Sequence, residues 1–329
     1  MKLGLFVASQ WPEETDLSDQ CALLCDQVRV ARDNGFSSIW AAQHWLVGPM
    51  RMFQPTPLLA RLMAAGEGLT FGPGVMLVSM QNPVIVAEDA ATLDWLCGGR
   101  YVLAAGMGYR AEEFEGTGTS PKERVSRTVE AVEVMRKLWS GQRVSHQGRH
   151  FRFENVQIGL APKRPIPVWL GASVEKSVAR AARVADAWLP SMSPPFPQLV
   201  RLTEHFRSVR SAAGLEPPAE QPLCREVYVG ANRDTAFDEV RPYLEYKYAH
   251  YAAWGSNNVT PDAVAAGLDE FAKDRFIIGD AETVAEEIAR YRSALGTNHL
   301  ICRMQWPGMP QDLVLSSIER LGKAASMLD

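Results

Sequence analysis

The sequence is poor in cysteine and has no concentration of charge of either sign. Its five cysteines are an odd number scattered over 329 residues, which excludes a disulfide framework and favours a reducing compartment. Lysine and arginine total 34 against 38 aspartate and glutamate residues, so the net charge is -4, with no long run of like charge. Nucleic acid and membrane surfaces are therefore not expected as partners, whereas small-molecule chemistry is.

Long apolar stretches are missing as well. No run approaches the roughly 20 apolar residues of a transmembrane helix, and the N-terminus enters a strand pattern at residues 2–8 where a signal peptide would have a basic and then an apolar segment. We expect a cytoplasmic protein. With 47% hydrophobic residues the chain can bury a large core. Because no repeat or low-complexity linker divides it, a single domain over residues 1–329 is favoured.

Several catalytic motifs are absent. Neither Gly-x-Ser-x-Gly nor His-Glu-x-x-His occurs, and no paired carboxylates or metal-ligand cluster emerge, so neither a triad hydrolase nor a metalloenzyme is predicted. Gly-x-Gly-x-x-Gly does not follow the first strand, and Gly106-Met-Gly-Tyr109 lacks the third glycine of that motif. The signal for a dinucleotide-binding fold is therefore weak.

What the chain has is a regular alternation of short apolar runs and longer amphipathic ones. Eight strands, each followed by a helix, predict an α/β fold with a closed (β/α)8 TIM barrel as the leading architecture and an open doubly wound sheet as the alternative. The strands are predicted at residues 3–8, 37–42, 70–79, 101–106, 166–170, 186–190, 224–230 and 298–304. The helices are predicted at residues 18–34, 56–66, 83–97, 121–140, 173–185, 196–213, 233–253, 281–295 and 311–328.

Two segments exceed a minimal barrel, so the predicted fold has insertions after helix 4 and before strand 8. Residues 141–165 alternate around Gln147-Gly148, which indicates a hairpin. Residues 247–275 carry Tyr248, Tyr251 and Trp254, followed by a Gly-Ser-Asn-Asn turn and another helical stretch. Long insertions on this side of a barrel usually shape the mouth of the active site.

One strand-to-helix junction, residues 167–177, combines features of a phosphate site. An apolar run ends at Gly171, and Ser173 opens a helical pattern. The N-terminus of a helix offers unpaired N–H groups and about half a positive charge, and the small Gly171 and Ala172 allow a phosphate to approach the backbone. A phosphate site and an ordinary turn with Ser173 as N-cap are both compatible with these residues.

His44 is the only histidine at a predicted strand end of the barrel, which is where the chemistry of such barrels takes place. It is the candidate acid, base or hydrogen-bond donor, against the alternative of a surface histidine. The other strand-end residues are aromatic, amide-bearing and small. Since they form neither a triad nor a metal site, the set suits a bound cofactor that performs the chemistry itself.

Eight segments match one known family in the family's own order. They are Ala41-Ala-Gln-His-Trp45 and residues 82–94, 98–101, 106–115, 167–173, 185–188, 275–279 and 303–310. On these segments the chain resembles, over nearly its whole length, the luciferase-like monooxygenases, which are flavin-dependent oxidoreductases related to bacterial luciferase.

The resemblance implies that a reduced FMN lies across the strand ends, with its phosphate on the turn at residues 171–173 and His44 beside its reactive edge. It also implies a non-prolyl cis peptide bond between Gly74 and Val75. Where the family often has a phosphate-contacting arginine, this chain has Met107, with Arg110 three residues on. The implied cofactor-binding residues are Gly74, Val75, Met107, Tyr109, Gly171, Ala172 and Ser173.

The implied activity is that of a monooxygenase. A separate flavin reductase would supply reduced FMN, and O2 would form a C4a-hydroperoxyflavin that oxygenates a small organic substrate. The pocket must exclude water, and its rim would consist of Trp11, Trp45, Tyr251, Trp254 and Trp306. A homodimer is expected, because dimers are common in the family.

Two alternatives remain on the same barrel. The first is hydride transfer with a reduced deazaflavin coenzyme, which a basic patch for its polyglutamate tail would indicate and which the sequence does not locate. The second is a non-catalytic flavin-binding protein, although pure storage requires neither His44 nor an aromatic mouth.

Overall fold

The computed structural model describes residues 1–254 and 267–325 of the chain. All eight predicted strands are present, with ends that differ from the prediction by one or two residues. Five further short strands accompany them. The strands are β1 (Lys2–Val7), β2 (Gln10–Trp11), β3 (Ser38–Ala41), β4 (Arg51–Met52), β5 (Thr70–Leu77), β6 (Leu103–Gly106), β7 (Val144–Gln147), β8 (Arg152–Val156), β9 (Val168–Ala172), β10 (Ala187–Pro190), β11 (Pro222–Val229), β12 (Phe276–Gly279) and β13 (His299–Arg303).

The nine predicted helices are also found, the last of them as far as residue 325. Two short helices accompany them: α4 was not predicted, and α9 lies in the helical stretch expected before residue 275. None of the helices within residues 1–254 and 267–325 combines the length and the apolar character that crossing a membrane requires. The helices are α1 (Gln20–Asp33), α2 (Pro55–Met63), α3 (Pro83–Leu96), α4 (Ala111–Gly116), α5 (Arg124–Leu138), α6 (Glu175–Val184), α7 (Phe196–Ala212), α8 (Ala236–Ala253), α9 (Leu268–Ala272), α10 (Ala281–Leu295) and α11 (Gln311–Ala325).

The main sheet is parallel and curled. Across the described residues its nine strands run in the order β10-β9-β6-β5-β3-β1-β13-β11-β12. The sheet bends so far that β10 and β11 also lie side by side. There the Arg225 guanidinium of β11 donates to the carbonyl oxygens of Met192 and Pro194 at 2.6 and 2.8 Å. The result is a TIM-barrel-like α/β fold with helices on its outer face.

The ninth parallel strand, β12, was missed by the sequence analysis. Its four residues pair in parallel with residues 226–229 of β11. The run Phe276-Ile-Ile-Gly279 is too short and too uniformly apolar to show a period, so the sequence gives no basis for a strand there. The predicted Gly-Ser-Asn-Asn turn, residues 255–258, lies outside the described residues.

The hairpin predicted around Gln147-Gly148 is present. Strands β7 and β8 pair antiparallel, with His146 opposite Phe153. Glu130 of α5 anchors this hairpin, because its carboxylate accepts the backbone N–H groups of His150 and Phe151 at 3.0 and 2.8 Å. These hydrogen bonds help hold the pKa of Glu130 below its ordinary value against the opposing effect of burial.

The interior of the curled sheet is filled at one end and open at the other. Trp40 of β3 and Trp169 of β9 are buried and stack with their ring centroids 4.8 Å apart, which closes the interior below the strand ends. Nearer the carboxyl ends, β9 and its neighbour β6 have small residues that line the open part, Gly171 and Gly106. Packed aromatic rings therefore support a cavity at the carboxyl ends of the strands.

The N-cap of α3 provides a test of local stability. The Asn82 side chain accepts the backbone N–H of Val84 at 2.9 Å, and Pro83 begins the helix. Removing this acceptor in Asn82→Ala is expected to lower the free energy of unfolding by about 1 kcal/mol. Urea denaturation measures this change. Asn82→Asp, which keeps an acceptor oxygen, is the matched control and is expected to unfold within a few tenths of a kcal/mol of the wild type.

Candidate active site

A cleft of about 470 Å3 opens where the carboxyl ends of the parallel strands meet. Ends of β5, β6 and β9, the first turns of α5 and α6 and the last turns of α8 form its walls. The structure brings all the predicted site residues together in this cleft: His44, Gly74, Val75, Met107, Tyr109, Gly171, Ala172 and Ser173. Sequence reasoning located the cleft because strand-end positions of such a barrel converge on one face.

The His44 ring is held by a buried carboxylate that the sequence analysis did not single out. Nδ1 of His44 lies 2.9 Å from Oε1 of Glu113 on α4. The His44 side chain is 11% exposed and that of Glu113 is fully buried. The backbone N–H of Trp45 donates to the same carboxylate oxygen at 3.0 Å. A carboxylate only accepts hydrogen bonds, so Nδ1 carries the proton and Nε2 is the nitrogen left to exchange one with a ligand.

Arg110 does not serve the phosphate turn. Its guanidinium donates to the carbonyl oxygens of Trp45 and Leu46 at 2.7 and 3.2 Å. It also lies 4.7 Å from the Trp254 ring. Because these contacts fix the backbone that follows His44, Arg110 stabilises the loop that presents the histidine. Arg110 therefore does not take over the role of the phosphate-contacting arginine that the family often has at the position of Met107.

Three aromatic rings surround His44. The ring centroids of Tyr109, Tyr251 and Trp254 lie 5.7, 6.3 and 5.7 Å from that of His44. The predicted rim was wrong at Trp11 and Trp306, which are 4% and 0% exposed and pack in the core. From the sequence, aromatic residues can be placed near strand ends. Whether their rings face the cleft or the core depends on packing in three dimensions, which the sequence does not show.

The floor of the cleft is a flat surface built on glycines. The Gly74-Val75 peptide bond is cis, as predicted, and β5 shifts its register to β6 at this point. The Val75 side chain then lies across Gly106 and Gly171. A Cβ at Gly171 would lie 3.3 Å from Cγ1 of Val75, and a Cβ at Gly106 would collide with the same side chain at Cγ2. Only glycine at these positions leaves the Val75 side chain where it is.

The phosphate turn differs from the prediction at the helix start. Strand β9 continues to Ala172, and α6 begins at Glu175 with Val174 as its N-cap. Ser173 is therefore not the N-cap. The Ser177 hydroxyl instead accepts the N–H of Val174 at 3.2 Å. Because Ser177 makes the side-chain contact at the start of the helix, Ser173 is not used as a cap. Its side chain remains available to a ligand on the wall of the cleft.

A basic cluster that the sequence analysis missed lines the same end of the cleft. It consists of Arg124 at the start of α5 and of Lys176 and Arg180 on α6. None of the three forms an ion pair within the part of the chain that the structure describes. Arg180 Nη1 lies 3.8 Å from Sδ of Met107. Lys176 and Arg180 are four residues apart, a spacing that places both on one face of a helix and can be read from the sequence. Arg124 lies on another helix and joins them only in the folded structure.

Comparison with known proteins gives consistent results. The family model described as luciferase-like monooxygenase matches residues 1–298. An F420-dependent hydroxymycolic acid dehydrogenase of Mycobacterium tuberculosis is 30% identical over 200 residues, which are 59% of this chain and 55% of that protein. An F420-dependent glucose-6-phosphate dehydrogenase of Microbacterium testaceum is 27% identical over 298 residues, 87% of this chain and 88% of that protein.

Among solved structures, the monooxygenase RslO1 from Streptomyces bottropensis superposes with a TM-score of 0.84. It is 20% identical, and the match covers 99% of both chains. This likeness supports the TIM-barrel-like fold seen in the described residues.

Proposed function

Since the chain belongs to the luciferase-like monooxygenase family, we propose that it is an oxidoreductase that binds a deazaflavin coenzyme and transfers hydride between it and a small organic substrate. The basic cluster of Arg124, Lys176 and Arg180 at the phosphate turn carries this choice of coenzyme.

The cleft fits a flat tricyclic ring. Val75, lying over two glycines, offers an apolar surface with no side chain projecting through it. The Tyr109 hydroxyl oxygen is buried and has no hydrogen-bond partner among the described residues. Burial raises the pKa of this hydroxyl, so Tyr109 stays protonated and able to donate a hydrogen bond to a bound ring. The turn at residues 171–173 and the N-terminus of α6 would hold the phosphate.

The charge at the phosphate end favours the deazaflavin over FMN. FMN brings one phosphate, whereas a deazaflavin with a polyglutamate tail adds several carboxylates beyond it. Three cations without carboxylate partners in the described residues exceed what one phosphate needs and match a longer polyanion. Two relatives of this chain are named as F420-dependent dehydrogenases, which supports the same coenzyme.

His44 would carry the proton transfer. When bound, the coenzyme takes or gives a hydride at a substrate carbon. His44 Nε2 accepts the proton that a substrate hydroxyl loses as it becomes a carbonyl, and returns it in the opposite direction. Glu113, 2.9 Å from Nδ1, fixes the tautomer and stabilises the protonated ring. The rings of Tyr109, Tyr251 and Trp254 pack around the His44 ring and would limit the access of water to it.

The basic cluster can be tested by removing charge from it. The double variant Arg124→Gln/Lys176→Gln is expected to bind the deazaflavin about tenfold more weakly, since each removed attraction is worth up to about 1 kcal/mol. FMN, which has no tail, is expected to lose less affinity. Fluorescence titration with each coenzyme at low and high salt measures both changes, and added salt should weaken the wild type more than the variant.

Arg29→Gln/Arg143→Gln removes two exposed cations away from the cleft and is the matched control, expected to bind like the wild type. Equal deazaflavin affinity in the wild type and the Arg124→Gln/Lys176→Gln variant would contradict the coenzyme assignment.

An FMN-dependent monooxygenase is the second candidate, and the aromatic shell around His44 favours it. Oxygenation of a small organic substrate with O2 and reduced FMN from a separate reductase requires a site from which water is excluded. The three rings within 6.3 Å of His44 meet that requirement. Hydride transfer also tolerates such a shell, and the charge at the phosphate end is the reason for proposing the deazaflavin first.

A further inference from the structure

The wall of the cleft beyond His44 contains a recess lined by charged side chains: Glu226 of β11, Lys247 of α8 and Arg303 of β13. Glu226 and Arg303 are register partners on neighbouring strands. All three residues are buried, with exposures of 0%, 3% and 3%. We call this group the charged recess. It lies apart from the phosphate end, where β9 and α6 form the wall.

Glu226 is fully engaged. Lys247 forms an ion pair with its Oε1, and the Tyr248 hydroxyl donates to the same oxygen at 2.9 Å. The indole N–H of Trp306 donates to Oε2 at 2.5 Å. Burial raises the pKa of Glu226, but the charges of Lys247 and Arg303 and the hydrogen bonds from Lys247 and Trp306 outweigh burial and hold it below its ordinary value. The single carboxylate of the recess is thus ionised and already satisfied.

Arg303 has no hydrogen-bonded carboxylate partner among the described residues, although, against the opposing effect of burial, the Tyr251 hydroxyl and the charge of Glu226 raise its pKa. Its Nη2 donates to the neutral amide oxygen of Gln10 at 3.2 Å, and it forms no ion pair with any residue in the described ranges. Its Nε is buried without a hydrogen-bond acceptor there. Two cations face one carboxylate, so the recess has a net charge of +1. Burying an unpaired charge is costly in a protein interior unless a ligand or partner compensates it.

Among residues 1–254 and 267–325, no neighbouring side chain supplies the missing negative charge. Cys224 lines the same wall, but burial raises the pKa of its thiol to about 12, so it stays neutral. Burial raises the pKa of Tyr248 as well. Burial, together with the charge of Arg303, lowers the pKa of Lys247 to about 8 although the ion pair with Glu226 opposes the shift.

The recess is adjacent to the proposed reaction centre. The Tyr251 hydroxyl donates to Gln10 Oε1 at 3.3 Å, the same oxygen that Arg303 contacts. The Tyr251 ring meets the His44 ring edge-on at 6.3 Å, and Lys247 Nζ lies 5.4 Å from the Tyr251 ring centroid. One aromatic ring therefore separates His44 from the charged recess.

We propose that the charged recess binds the anionic group of the substrate, a carboxylate or a phosphate, through Arg303 and Lys247, so that the substrates of this enzyme are small organic anions. The planar guanidinium of Arg303 suits such oxyanions. This inference rests on the proposed function, because it places the reacting carbon of that anion next to His44.

Ligand-observed NMR titration with propionate tests the recess, with 1-propanol as the neutral probe of similar size. Propionate is expected to bind the wild type and 1-propanol is not. Arg303→Gln should weaken propionate binding by about 10- to 100-fold. Cys224→Ala, which changes the same wall without changing its charge, should bind propionate like the wild type. Lys247→Gln provides a second charge-removing variant with the same expected direction, in case Arg303→Gln does not fold.

The basic cluster is the other possible source of propionate binding, and Arg180→Gln distinguishes it. Propionate binding that survives in Arg180→Gln and is lost in Arg303→Gln supports the inference. Three results would overturn it. The first is that propionate binding is lost in Arg180→Gln but not in Arg303→Gln, and the second is that the wild type and Arg303→Gln bind propionate equally well. The third is that 1-propanol binds the wild type as well as propionate does. Loss of coenzyme affinity in Arg303→Gln would also overturn it, because the recess would then serve the coenzyme. If the protein binds FMN tightly in place of the deazaflavin, the proposed function is contradicted. The inference about the charged recess still stands in that case, provided that propionate binding depends on Arg303.

Discussion

Replacing His44 by alanine is expected to lower turnover by about 10²- to 10⁴-fold, which is the usual contribution of a positioned acid–base group. The loss arises because the variant removes the nitrogen that exchanges the proton: the His44 ring lines the cleft, with Nδ1 committed to Glu113 and Nε2 left for the substrate. Coenzyme affinity is expected to stay within about twofold, since the floor and the phosphate turn are built by other strands.

The rate of deazaflavin reduction at saturating substrate measures the effect of His44→Ala, and fluorescence titration measures coenzyme affinity. His205→Ala, on α7 and outside the cleft, is the matched control and is expected to turn over like the wild type. Unchanged turnover in His44→Ala would remove this histidine from the mechanism.

Glu113→Gln is expected to lower turnover by about 10²- to 10³-fold although the side chain touches no ligand. Glutamine preserves the shape of Glu113, but its amide N–H can donate to Nδ1 of His44 and favour the wrong tautomer. It also removes the negative charge that stabilises the protonated ring. Glu112→Gln makes the same chemical change one residue earlier, at a side chain that is 65% exposed, and is expected to have no effect on turnover.

The double variant His44→Ala/Glu113→Gln separates a positioning role from an independent one. If Glu113 acts through His44, the double variant turns over as slowly as His44→Ala alone. Two results would show that the carboxylate does not act by orienting His44. One is a loss of turnover in the double variant equal to the product of the losses in the two single variants, and the other is a Glu113→Gln variant as active as the wild type.

The fold was predictable from the sequence to the extent that each strand has its own local signal. The eight strands of the predicted barrel alternate with amphipathic helices, so periodicity and order suffice for them. Strand β12 is four residues long and uniformly apolar, and its assignment depends on pairing with β11, which no local pattern shows. Helix α6 begins two residues later than predicted, at Glu175, and the side-chain contact at its start is made by Ser177, which accepts the N–H of Val174.

The candidate site was predictable where it depends on strand ends and not where it depends on contacts between distant segments. His44 and the turn at residues 171–173 lie at strand ends, which the barrel brings together. Glu113 is 69 residues from His44 in sequence. Arg303 and Glu226 meet only through strand pairing. Charged residues are common in any sequence, so their burial and their missing partners become visible only in three dimensions.

The central claim is the identity of the coenzyme, and direct competition tests it. The wild-type protein is mixed with equal concentrations of oxidised deazaflavin carrying its polyglutamate tail and of FMN, passed through a desalting column, and the bound coenzymes are quantified. The account predicts that the deazaflavin elutes with the protein in about tenfold excess over FMN, because the basic cluster attracts its tail. Retention of FMN in equal or greater amount would contradict the deazaflavin assignment and favour the FMN-dependent monooxygenase.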